Sequence, residues 1–82
     1  MSHVAHELHE EFPEQVETIH ALRGSSAHFS RIADAYHDLN RAIHRMETNV
    51  EPVDDATLEA AKKQRLALKD EIAQFLAGAT VA

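Results

Sequence analysis

The chain has no cysteine. That excludes disulfide staples, cysteine-ligated zinc and a thiol nucleophile. Tryptophan is absent, and tyrosine occurs once. Glycine and proline occur only twice each in 82 residues. Tight turns are therefore few, and few turns in a short chain mean few, long elements. No apolar run approaches the roughly 20 residues of a membrane span. The opening stretch MSHVAHELHEEF has neither a basic region nor an apolar one, so neither a secretory signal nor an Arg-rich transit peptide is expected. The expected compartment is the cytoplasm, with no membrane partner. No Gly-rich phosphate loop, nucleophile elbow or metalloprotease His pair occurs, and the expectation is no catalysis and no cofactor.

What is present is helix-forming and acidic. Fourteen Asp and Glu against eight Lys and Arg leave a formal charge of −6, and 44% of residues are hydrophobic. That composition is globular rather than disordered. A chain this short makes one small domain and buries only roughly 60–65% of its unfolded surface. It must pack its helices tightly or self-associate. Ala, Leu, Glu, Arg, Lys and Gln dominate, and no stretch alternates apolar and polar residues with period two.

Two breaks divide the helical sequence. Gly24-Ser25-Ser26 offers a left-handed glycine cap followed by a serine N-cap. The stretch 49–55 contains Pro52, which disfavours helix at Glu51, and Asp54 or Asp55 as the next N-cap. The predicted helices are 13–23, with Pro13 at its first turn, then 27–49 and 55–77, with Gly78 as a stop. Residues 1–12 read as an acidic, His-rich and frayed segment, 13–78 as one domain, and 79–82 as a tail.

The second helix carries a 3-4 apolar repeat: Phe29, Ile32, Tyr36, Leu39, Ile43, Met46 and Val50. The third repeats it with one interruption: Leu58, Ala61, Arg65, Leu68, Ile72 and Phe75. A short connection between two such helices predicts a long antiparallel, coiled-coil-like hairpin. A turn centred near residue 52 pairs Met46 with Leu58, Ile43 with Ala61 and Leu39 with Arg65. It also pairs Tyr36 with Leu68, Ile32 with Ile72 and Phe29 with Phe75. The first helix would close the open end with Phe12, Val16, Ile19 and Leu22. It is about 16 Å long, too short to cover everything. Leu66, Ala73 and Leu76 are left beside the seam; either Leu66 is simply exposed, as single Leu residues often are, or these residues form a surface for a homodimer or higher oligomer, or for an unidentified protein partner.

These features resemble one family. Phe12-Pro13-Glu14 leads the first helix, and His28-Phe29 opens the second. The third carries Lys62-Lys63-Gln64-Arg65-Leu66-Ala67-Leu68-Lys69-Asp70-Glu71-Ile72. The pattern resembles the YdcH-like family of small bacterial helical proteins over nearly the whole chain after residue 10. The departures are the His-rich start and Ser25-Ser26, where relatives often carry Asn-Pro. The resemblance implies a helical hairpin with a packed-on N-terminal helix in the bacterial cytoplasm, and no enzymatic activity.

Several residues carry candidate chemistry. On a helix, His3, His6, Glu7 and Glu10 would share a face and could converge on zinc or nickel; the alternative is a polar tail. His37 and His44, with Arg41 between them, flank the seam and offer a pH-dependent element. His28 is expected beside Phe29. Arg65, in an apolar seam, should snorkel to the edge or pair with Asp38 or Asp34, and would fix register. Lys62, Lys63, Arg65 and Lys69 form a basic stripe that could serve nucleic acid. The acidic net charge and the lack of interleaved aromatics make nucleic acid the lesser expectation.

Overall fold

A computed structural model describes residues 4–48 and 52–80. Those residues form an all-helical structure. A short α1 (Leu8–Glu11) and a 3-10 turn (Pro13–Gln15) lead into α2 (Val16–Ser25). The long α3 (Ala27–Glu47) and α4 (Asp55–Thr80) follow. The predicted first helix is thus split, with Pro13 opening the 3-10 turn. The turn residues Asn49, Val50 and Glu51 lie outside the described residues, as do His3 and Val81.

Local chemistry explains the boundaries. The Ser26 hydroxyl accepts from the Phe29 amide at 3.1 Å and caps α3. Asp54 Oδ1 accepts from the Thr57 amide at 2.9 Å and caps α4. The Thr57 side-chain hydrogen bond, with this amide bond second, holds the Asp54 carboxyl below its usual value. The two glycines do not act as stops. Gly24 lies inside α2, Gly78 inside α4, and no glycine has positive φ. Ser26 alone, extended at φ −128° and ψ 110°, redirects the chain from α2 into α3. Ser25 stays helical and donates to the Ala21 carbonyl at 3.0 Å.

The core gathers Ile19 of α2, Phe29, Ile32, Ala33 and Tyr36 of α3, and Ile72 and Leu76 of α4. Leu8, Phe12, Leu22, Leu68 and Phe75 pack around it. Ile43 is fully buried further along α3. Leu39, Met46, Leu58, Ala61, Leu68 and Phe75 are half-buried. Contacts between α3 and α4 run in opposite order along the two helices. Phe29 meets Phe75 edge-on at 5.5 Å between ring centres, Asn40 meets Arg65, and Glu47 meets Lys62. His28 lies tilted against Phe75, with ring centres 5.4 Å apart and planes at 51°.

Leu76 corrects an expectation. It is 1% exposed and sits in the core rather than on a free stripe. A strict 3-4 spacing assigns Phe75 to the seam and leaves Leu76 outside it. Near the end of α4, however, α2 packs on α4 as well as on α3. A wider arc of α4 is covered there, and Leu76 falls within it.

Candidate functional site

Tyr36 and Asn40 stand four residues apart and therefore share one face of α3. Both are only 1% exposed. Tyr36 donates its hydroxyl to the His6 carbonyl at 2.6 Å. Asn40 Nδ2 donates to the Ala5 carbonyl at 2.9 Å, and Asn40 Oδ1 accepts from Arg65 Nη1 at 2.9 Å. Residues 4–12 are thereby fastened to α3 by their own main chain. Side-chain contacts add to the fastening. Lys69 Nζ reaches Glu11 at 2.8 Å, with His6 Nδ1 at 3.5 Å on the same carboxylate oxygen. His37 Nδ1 lies 3.4 Å from Glu7, while its Nε2 accepts from Arg41 Nε at 2.8 Å.

The electrostatics follow from these contacts. The Lys69 hydrogen bond holds the Glu11 carboxyl below its ordinary value of 4.5, against the opposing effect of burial. Burial, followed by the Glu11 charge, pushes the Tyr36 phenol up to about 12. Tyr36 thus stays a donor throughout the neutral range.

Arg65 does not pair with Asp38 or Asp34. Asp34 takes Arg23 at 2.6 Å. Asp38 is exposed, two residues and about 200° round the helix from Asn40. The neutral amide of Asn40 satisfies the guanidinium without burying a carboxylate. Three of the four basic-stripe residues have internal partners: Lys62 with Glu47 at 3.2 Å, Arg65 with Asn40, and Lys69 with Glu11. Lys63 is exposed. Their charge is thus largely committed within the chain.

Of the expected His and Glu face, His3 lies outside the described residues, and His6, Glu7 and Glu10 do not share one helix. Ala5 and His6 form a turn, His6 has φ 66°, and the helix starts only at Leu8. His6 turns to Glu11 and Glu7 to His37, while Glu10 accepts from the Glu7 amide at 3.3 Å. Among the described residues, no group of three or more His, Asp and Glu side chains is gathered to hold a metal ion. No described helix is long and apolar enough to cross a membrane.

Two clefts border the N-terminal segment. One of about 160 Å³ lies among His6, Glu11, Tyr36, Lys62, Arg65 and Lys69, with Leu66 at its rim. The other, of about 270 Å³, lies between Glu7, Leu8, Arg23, Tyr36 and His37. On the outer side of α4, Leu66 is 57% exposed and Ala73 half-buried.

Residues 29–76 match a family described as "Protein of unknown function (DUF465)". The chain belongs to the DUF465 family. YdcH-like proteins fall within it. The match takes in α3 from Phe29 onward and most of α4, including Tyr36, Asn40, Arg65 and Lys69. The fastened residues 4–12 lie outside it. No curated protein and no solved structure matches the chain.

The sequence reading missed Asn40 as a site residue. The available signal was a polar residue on the apolar arc between Tyr36 and Ile43. Its main-chain partner, 35 residues away, has no side-chain signature.

Proposed function

We propose that this DUF465 protein is a non-catalytic helical interaction and assembly protein. Its α3–α4 hairpin self-associates through the outer face of α4, centred on Leu66 and Ala73, with Leu76 excluded by its burial. The observation that carries the reading is the exposure of Leu66 in the middle of the helix. Burying such a side chain contributes about 1.5–3 kcal/mol when complete, and a two-fold axis uses it twice.

Charge order supports a second copy as the occupant. Along this side of α4, Lys62 and Lys63 precede Leu66, and Asp70 follows it. Reversing one helix against the other about Leu66 brings Lys62 toward Asp70 of the second copy and Glu59 toward the small Ala73, and sets Lys63 opposite Lys69, whose charge Glu11 already meets. Exposed pairs of this kind set orientation more than affinity. A nucleic-acid adaptor role draws less support, because Lys62, Arg65 and Lys69 already meet internal partners.

The cysteine-free chain makes the test direct. A Leu66→Cys variant should cross-link to itself on mild oxidation, whereas Ala60→Cys, round the helix from Leu66, should not. Equal cross-linking at both positions, or none at Leu66→Cys, would refute the reading.

A further inference from the structure

The groove beneath residues 4–12 is a second surface, adjoining the outer face of α4 at Leu66. Its two buried donors, Tyr36 and Asn40, both hold main-chain oxygens, those of His6 and Ala5. Every peptide carries such oxygens, so these bonds recognise backbone rather than one particular side chain. Part of the receptor is held from its own side. Arg65 fixes Asn40 by its Oδ1, which aims Nδ2 into the groove. Downstream, Lys69 supplies a cation for a carboxylate, at present that of Glu11.

The occupant is less well fitted than the receptor. His6 adopts φ 66°, a left-handed conformation that non-glycine residues seldom take. Clefts of about 160 and 270 Å³ remain on its flanks. Its side-chain ties are partly solvated: the Lys69 side chain is 36% exposed and that of His37 44% exposed. All four receptor residues lie within the stretch that matches DUF465, and the occupant lies outside it.

We infer that the groove of Tyr36, Asn40, Arg65 and Lys69 is a peptide-docking site. Residues 4–12 fill it in cis, and a short acidic segment of another protein takes it in trans. The incoming segment presents two successive carbonyls to Asn40 and Tyr36 and a carboxylate to Lys69. Apolar side chains at the places of Leu8 and Phe12 reach the core edge. A tethered occupant competes at an effective concentration of about millimolar, so loosening it raises the apparent affinity for a free peptide.

The probe is a fluorescently labelled peptide of residues 4–14, titrated by anisotropy into the full-length chain and into its Glu11→Lys variant. Glu11→Lys sets a cation against Lys69 and loosens the cis segment while leaving the receptor intact. The variant should bind the peptide at least about tenfold more tightly than the unaltered chain does. Adding Asn40→Ala should lower that affinity about tenfold, and a peptide carrying Glu11→Lys should not bind. Should Asn40→Ala unfold the chain, Tyr36→Phe removes one donor from the same groove and should weaken binding in the same direction. Absence of saturable binding by Glu11→Lys up to about 1 mM peptide would overturn the proposal. So would binding indifferent to both the groove substitutions and the peptide charge. As a second readout, amide resonances of the unaltered chain are followed with excess unlabelled peptide. Concerted shifts at Ala5, His6, Tyr36 and Asn40 support exchange, and an unchanged spectrum contradicts it.

Discussion

Asn40→Ala removes the bond to Ala5 and the acceptor that Arg65 uses. A neutral hydrogen bond contributes about 0.5–1.5 kcal/mol net, and one to a charged group about 1.5–3 kcal/mol. Arg65 is only half-buried and recovers part of its loss from water. The expected cost is therefore near the lower end of the sum, about 2–3 kcal/mol. A chain of 82 residues has a total stability of about 4–12 kcal/mol, so the loss is a large share of it. In a domain of this size each kcal/mol moves the melting midpoint by about 4–8 °C, which gives a fall of roughly 10–20 °C. Urea and thermal unfolding followed by far-UV circular dichroism measure it. Asp38→Ala is the control and should change stability by no more than about 0.5 kcal/mol, because Asp38 is exposed. A cost for Asn40→Ala below about 0.5 kcal/mol would refute the claim that this amide fastens the N-terminal segment to the helices.

Two pH experiments follow from the same contacts. The single tyrosine can be titrated by tyrosinate absorbance, and its transition should come near 12 rather than 10. Because the folded value is raised, its contribution to stability is complete below pH 10 and disappears as pH rises toward 12. A transition at 10 in the folded chain would contradict the buried hydroxyl. Glu11 behaves oppositely. Its folded value is depressed, so its contribution is present above 4.5 and is lost as pH falls through the lowered value. Glu11→Gln should flatten the acid limb of the stability profile; an unchanged limb would contradict the Lys69 pairing.

The parts legible in the sequence are those set by local chemistry. Ser26 and Asp54 are recognisable caps because their bonds span only three residues. The core arc of α3 is legible because Phe29, Ile32, Tyr36 and Ile43 repeat with helical spacing, and all four are buried. The parts that were not legible depend on distant chain segments. The docking of residues 4–12 rests on carbonyls, and no residue type announces a carbonyl. Leu76 needed the position of α2 to be known, since its burial comes from a third helix rather than from the α3–α4 seam. Gly24 looked like a stop only while Ser26 was not credited with making the whole turn. Asn40 was hidden by its neighbours, because Asp38 offered the more obvious partner for Arg65.

The central functional claim is self-association through α4, and the molar mass in solution tests it most directly. Multi-angle light scattering across a micromolar concentration series should give a mass above 9.2 kDa, approaching twice that value for a dimer. The Leu66→Glu variant should return to 9.2 kDa while keeping its helical spectrum. A mass of 9.2 kDa for the unaltered chain at every concentration, or an undiminished assembly in Leu66→Glu, would contradict the account.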